Sequence, residues 1–277
     1  MKEFKLVEQI RKTNPLVHNI TNQVVANDVA NSQLAIGASP MMAYAPEEMK
    51  EVARIAKSIV LNIGTITTEV LESMILVGKS ANQIGVPVIL DPVGVGATTF
   101  RKAAVRRLLT EVKVQLIRGN AGELASLANI PWSSKGVDAG VGDTLVKDIA
   151  ELVATRYQTV VAISGEEDII TDGIQTVGIF NGHSLMTKIT GTGCMLSGIC
   201  GAFLAARTST MTIFESTVEA CIVYAVAGEL AVESLKLPSP GNFRAALMDN
   251  LYSITSDKVT VRANLKQYNT KEVERNE

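Results

Sequence analysis

The segment Gly191-Thr192-Gly193-Cys194 stands directly before a long apolar helical run, and its residue types suit the handling of an anion. Glycines let the main chain approach a ligand closely, and the unpaired amides of a first helical turn aim partial positive charge at whatever they face. A phosphate fits that description. The same spacing also describes a plain glycine turn into a helix, since a short Gly-x-Gly carries little information by itself. Cys194 adds proton chemistry, because a thiol at a helix N-terminus is acidified below its free value of about 8.5. Cys200 and Cys221 lie in apolar helical surroundings and read as core.

Two acids follow strand-like runs. Asp91 ends Val86–Leu90, and Glu123 comes shortly after Ile117-Arg118-Gly119-Asn120. In a parallel sheet both would line one crevice, where a carboxylate pair with bound water suits octahedral Mg²⁺. Taken singly, Asp91-Pro92 reads as a turn and Glu123 as a first-turn helix acid. Arg118 is placed to pair with phosphate or simply to cover the sheet edge. Pro15-Leu16-Val17-His18-Asn19-Ile20-Thr21-Asn22 sets further polar groups at a strand end that enters a helix at Thr21 or Asn22. Ala38-Ser39-Pro40-Met41-Met42-Ala43 offers small groups and polarizable sulfur, suited to a heterocycle or to ordinary packing. His18 and His183 give no zinc spacing, and His183 beside Asn181-Gly182 reads as an exposed turn residue.

These groups need a scaffold. Short β-branched runs at Leu16–Ile20, Ser58–Ile63, Val86–Leu90, Val114–Ile117 and Thr159–Ile163 read as buried strands. Between them, apolar residues recur at helical spacing, as in Val70, Leu71, Met74, Val77 and Ala81, or Leu145, Ile149, Leu152 and Val153. That succession predicts an α/β fold with a mostly parallel central sheet flanked by helices on both faces, and ligands beyond the strands' C-terminal ends. After Ile163, Asp172-Gly173 and Asn181-Gly182 punctuate short runs, which predicts an antiparallel extension. Gly193 to about Asn250 reads as helical, broken near Pro238-Ser239-Pro240-Gly241, and the tail after Lys266 as frayed. No linker divides the chain, so one domain over 1–277 is expected.

Composition narrows the function classes. In 277 residues, 26 Lys+Arg against 28 Asp+Glu leave a formal charge of −2, which argues against nucleic acid as a partner. A 47% hydrophobic fraction with 19% charged residues predicts a folded chain with surface to bury, subunit contacts included. Three Cys form no disulfide framework, and Glu3 and Glu8 interrupt the Met1–Lys12 segment, so a reduced, unsecreted protein is expected. Met195–Ala206 is too short for a bilayer span and Thr217–Val232 carries Glu219 and Glu229, so no membrane anchor is expected. Neither a Gly-x-x-x-x-Gly-Lys-Ser/Thr loop nor a Gly-x-Gly-x-x-Gly fingerprint follows a strand, which disfavours P-loop NTPases and Rossmann dehydrogenases.

Six ordered segments carry a resemblance over nearly the whole chain: Pro15–Asn22, Gly37–Ala43, Leu61-Asn62-Ile63-Gly64-Thr65, Val88–Gly94, Ile117–Glu123 and Gly191–Cys194. The sequence resembles the hydroxyethylthiazole kinases of thiamin salvage, members of the ribokinase-like superfamily. The resemblance implies ATP-dependent phosphorylation of the primary hydroxyl of 4-methyl-5-(2-hydroxyethyl)thiazole with Mg²⁺, in the cytoplasm. By motif, Asp91 and Glu123 match the acids that organise the metal, Arg118 and Ser164 match nucleotide contacts, and Asn22, Met42, Gly64, Thr65 and Gly191 match positions around the thiazole. Gly191 and Gly193 match the anion-hole turn. Cys194 stands where most relatives in the superfamily carry an Asp base, which points to the thiazole branch and makes it a candidate base or hydroxyl positioner. The resemblance also implies a homotrimer with the thiazole site between neighbouring subunits.

Overall fold

The computed structural model describes residues 4–132 and 145–268. In chain order the elements begin α1 (Leu6–Thr13), β1 (Leu16–Ile20), α2 (Ala26–Ile36), β2 (Ser39–Met41), α3 (Met49–Ile55), β3 (Ser58–Asn62), α4 (Thr68–Gln83) and β4 (Val88–Asp91). There follow α5 (Thr99–Glu111), β5 (Leu116–Asn120), α6 (Ala121–Ala128), α7 (Val146–Tyr157), β6 (Val160–Ser164), β7 (Asp168–Thr171) and β8 (Thr176–Ile179). The chain then forms α8 (Thr192–Ala206), α9 (Ile213–Glu233), α10 (Pro240–Ser253), α11 (Ser256–Arg262) and β9 (Leu265–Tyr268).

Among the described residues one nine-stranded sheet runs in the order β2-β1-β3-β4-β5-β6-β7-β8-β9. Pairing is parallel from β2 through β6 and antiparallel from β6 through β9. This is the expected mostly parallel sheet with its antiparallel extension. Alternation along the strands divides the core in two. Val60 of β3 packs with α1, α2 and α8–α11 on one face, whereas its neighbours Ile59 and Leu61 pack with α3–α7 on the other.

Local chemistry fixes the helix starts. Thr67 and Thr98 accept the N-terminal amides of Val70 and Arg101, and Thr212 with Glu215 forms a reciprocal capping box on α9. The break expected near Pro238–Gly241 is where α10 begins, with Pro240 in its first turn. Helix α8 lies deepest. A side chain at Gly201 would meet Val60 Cγ2 at 2.7 Å and Val17 Cγ1 at 2.9 Å, so only glycine lets the helix seat this close to β1 and β3. Ser58 Oγ donates to the Gly201 carbonyl at 2.7 Å and fixes that seat.

Three expectations need correction. β2 was not foreseen, since it is only three residues long and contains Pro40, which an edge strand tolerates. The helix after β1 does not start at Thr21 or Asn22. It starts at Ala26 without a side-chain cap: the Thr21 backbone is held by the Tyr44 hydroxyl, and the Asn22 side chain is engaged with Asn62 and Cys194. Fraying does not begin after Lys266, because Gln267 and Tyr268 pair with β8 in β9. The remaining tail, 269–277, lies outside the described residues.

Candidate active site

The C-terminal ends of β1, β3, β4, β5 and β6 and the N-terminus of α8 meet at one end of the sheet. Gly191 caps α8 with φ +86°, a left-handed conformation that L side chains rarely adopt, and a side chain there would lie 2.4 Å from Val25 Cγ1. A side chain on Gly193 would strike Arg118 Nη1 at 2.5 Å, so the guanidinium rests against the turn itself. Arg118 leaves β5, is 7% exposed, and donates from Nη2 to Ser164 Oγ at the end of β6, at 2.5 Å. Its Nε has no partner. Burial alone would lower its pKa, but the Asp91, Glu123 and Asp168 carboxylates more than offset that and keep it charged.

Asp91 is fully buried at the end of β4. Its Oδ2 accepts from Asn62 Nδ2 and Ser197 Oγ, each at 2.7 Å, while Oδ1 has no partner. Burial pushes its carboxyl up to about 6, with Arg118 pulling down and Glu123 pushing further up. Glu123 is half-buried in the first turn of α6 and completes a capping box: its amide donates to Asn120 Oδ1, and its Oε2 accepts from the Asn120 amide, both at 2.9 Å. Glu123 Oε1 accepts from the Gly94 amide at 2.9 Å. The helix-acid reading is therefore true of Glu123, and the same bonds hold its charge beside Asp91 and Arg118.

Cys194, in the first turn of α8, is partly buried, and its Sγ accepts from Asn22 Nδ2 and Asn62 Nδ2, both at 3.2 Å. The acidified thiol expected from its helix position is not found. Burial and the nearby Asp91 charge push it up to about 11, despite the two amide donors and Arg118. At neutral pH it is a thiol. Cys200 and Cys221 are buried core residues, as expected.

Asn22, 5% exposed, also donates to Asn62 Oδ1 at 3.1 Å. Gly64 donates its amide to the same oxygen at 2.9 Å, and a side chain there would meet Asn22 Cβ at 2.7 Å. Thr65 is exposed and its Oγ1 accepts from the Gln23 amide at 3.1 Å. Met42 follows the edge strand β2 and is half-buried against the same core cluster as Cys194. The structure thus joins Asn22, Gly64, Asp91 and Cys194 in one network and Arg118, Ser164 and Gly193 in another, and it leaves Met42 at the sheet edge. His18 is buried, with Nε2 bonded to the Ala43 carbonyl at 2.9 Å, and burial lowers its pKa. His183 Nδ1 accepts from the Leu185 amide in an exposed turn.

Sequence reasoning gave no role to Asn62, Ser197 or Arg101. Asn62 stood inside a quoted motif, and Ser197 lies three residues after Cys194 on a helix, a spacing that signals a shared face. Arg101 left no local signal: from α5 it donates to the carbonyls of Ile63 and Val93 at 2.7 Å and Gly64 at 2.6 Å, bracing the loops after β3 and β4.

Two adjoining cavities of about 850 and 690 Å³ open beyond β5 and β6 and share Ser164, Gly165, Glu166 and Phe180. The larger is walled by apolar groups such as Trp132, Ile169 and Tyr268, and the smaller reaches Arg118, Thr192 and Gly193. Among the described residues no group of three or more His, Cys, Asp or Glu converges as a metal cage. A hard cation that keeps its waters and leans on phosphate oxygens needs none. The bare Oδ1 of Asp91 and the fixed charge of Glu123 are donors of the right kind for it.

The model of the hydroxyethylthiazole kinase family matches residues 7–257. The chain is 50% identical over 267 residues to a hydroxyethylthiazole kinase of Listeria monocytogenes, covering 96% of this chain and 98% of that one. It is 51% identical over 259 residues to one of Pasteurella multocida, covering 94% and 97%. The solved hydroxyethylthiazole kinase protein of Pyrococcus horikoshii superposes with a TM-score of 0.86 at 37% identity, over 96% of this chain and 98% of that one. A pyridoxal kinase of Staphylococcus aureus in complex with ADP shares the fold alone, at a TM-score of 0.61 and 12% identity, over 91% and 98%. A match this long, on a chain whose sheet, glycine turn and strand-end acids are those of the resemblance, leaves one conclusion: the chain belongs to the hydroxyethylthiazole kinase family.

Proposed function

We propose that the chain transfers the γ-phosphoryl group of ATP to the primary hydroxyl of 4-methyl-5-(2-hydroxyethyl)thiazole, giving the thiazole phosphate and ADP. The observation that carries this reading is the α8 N-terminus, where one glycine turn touches the Arg118 guanidinium on one side and leads into the Cys194–Asn62–Asp91 network on the other. A phosphoryl donor and a small alcohol held on those two sides face each other across the turn.

Arg118 and Ser164 hold the triphosphate, and the amides around Gly191 and Gly193 meet the charge that gathers on the transferring group. Asn22, Met42, Gly64, Thr65 and Gly191 surround the thiazole. Asp91 and Glu123 would hold Mg²⁺, which would supply charge neutralisation. Cys194, a thiol at neutral pH, orients the hydroxyl, whose proton passes to a phosphoryl oxygen or to water as the new O–P bond forms. A loose transition state tolerates the lack of a strong base, because alignment and charge neutralisation carry most of the barrier lowering.

The protein works as one domain over 1–277 and as a homotrimer in which a neighbouring subunit completes the thiazole site. Val24, 69% exposed two residues from buried Asn22, supports a contact there. A monomer in sedimentation at working concentration would remove the trimer. A cytoplasmic setting fits three free cysteines. Among the described residues no helix is long and apolar enough to cross a membrane.

Purified protein given Mg-ATP should release ADP only when the hydroxyethylthiazole is present, and phosphorus NMR should show its phosphate ester. No product across a range of pH would overturn the reading. A hydroxymethylpyrimidine turned over in preference would assign the site to another ribokinase-like branch.

A further inference from the structure

Asn62 closes the acceptor side of the site on itself. It ends β3 in register with Asp91 at the end of β4, so the two side chains leave neighbouring strands on the same face. Its Oδ1 accepts from the Gly64 amide at 2.9 Å and from Asn22 Nδ2 at 3.1 Å. Two donors on the oxygen settle the amide's flip and turn Nδ2 the opposite way. Nδ2 then donates to Asp91 Oδ2 at 2.7 Å and to Cys194 Sγ at 3.2 Å. Both amide hydrogens are engaged, and the residue is 2% exposed. Asn62 therefore has no donor left for a ligand.

Ser197 isolates the two halves of this arrangement. Its hydroxyl reaches the same Asp91 Oδ2 at 2.7 Å. Two donors on one carboxylate oxygen orient the group and leave the unpartnered Oδ1 turned away from both. Cys194 and Ser197, three residues apart on α8, present a thiol and a hydroxyl to the same strand ends. Ser197 bonds to Asp91, whereas Asn62 bonds to Asp91 and to the Cys194 thiol.

We propose that Asn62 is a positioning residue for phosphoryl transfer: it ties the Cys194 thiol to the Asp91 carboxylate, so that the acceptor hydroxyl is presented at a fixed distance from the free Oδ1. This inference rests on the thiazole kinase reading above. Its loss costs alignment of the reacting groups more than it costs binding of the heterocycle, where Asn22 and Gly64 lose only the oxygen that receives them.

Asn62→Ala should lower kcat about 10- to 100-fold, the effect of losing hydrogen bonds to a charged group. KM for the thiazole, and thiazole affinity measured by calorimetry without nucleotide or metal, should each change by a smaller factor than kcat. In double-mutant cycles Asn62→Ala and Cys194→Ser should be strongly sub-additive, while Ser197→Ala and Cys194→Ser should multiply. Asn62→Ser loses both amide donors without setting a second carboxylate beside Asp91. It should share the loss of kcat when assayed below its own melting transition, which keeps the proposal testable if the alanine variant folds poorly. Wild-type kcat in folded Asn62→Ser, a raised KM at unchanged kcat, or a multiplicative Asn62–Cys194 cycle would overturn the positioning role. Absence of thiazole-dependent turnover in the unmutated protein would instead overturn the kinase reading.

Discussion

On the β1, β3 and β4 side of the α8 N-terminus, polar side chains bond to one another and only Asp91 Oδ1 is left over: Asn22, Asn62, Asp91, Cys194 and Ser197 share short bonds and little solvent. On the β5 and β6 side, Arg118 keeps an unpaired Nε and faces a cavity of about 690 Å³ that opens into another of about 850 Å³. The first region is closed and preset by its own bonds; the second is roomy and cationic. On the proposed reading, precision is built where the substrate is small and carries few handles, and electrostatics suffices where it is large and ionic.

The largest test of this contrast is Arg118→Met. It removes the cation that Asp91, Glu123 and Asp168 surround, and turnover should fall at least about a hundredfold while thiazole affinity by calorimetry stays within about threefold. Equal losses in both would mean the two regions are one unit. Next is Cys194→Ser, which alters the closed region alone: kcat should drop about tenfold, with the KM for ATP unchanged. A selective rise in the KM for ATP would break the division.

The smallest effect on turnover is expected from Glu219→Gln, remote from both regions. Glu219 Oε1 accepts from the Lys5 and Leu6 amides at the start of α1, and burial pushes its carboxyl up to about 7 despite those bonds. Since the folded state holds this proton more tightly than the unfolded state does, its stabilisation is full below the ordinary carboxylate range and is lost as pH rises through about 7. The loss is on the order of 3 kcal/mol. Thermal unfolding should show Glu219→Gln melting higher than the wild type at pH 8, with kcat unchanged. Parallel melting curves across pH would refute the assignment.

Much of the scaffold was legible because its signals are local. The β-branched runs lie within three residues of β1 and β3–β6, and Asp91, Arg118, Glu123 and Ser164 fall at or just beyond the strand ends that parallel pairing brings together. What escaped depends on burial and distant partners. Position at a helix terminus predicted an acidic Cys194, but only tertiary structure reveals the apolar enclosure and the Asp91 charge that reverse the shift. Arg101 bonds carbonyls up to 38 residues away, and no periodicity encodes that. Pro40 masked β2 for the opposite reason, because a residue that argues against a strand is accepted where one side of the ladder is open.

The bond from Ser58 to the Gly201 carbonyl has reach beyond packing. Gly201 lies seven residues beyond Cys194 on α8, about 10 Å along the axis at 1.5 Å per residue. The helix is thus a lever with its fulcrum deep in the sheet, and its free arm carries the Gly191–Gly193 turn. Any bulk added at the fulcrum tilts that arm, and the turn and Cys194 with it.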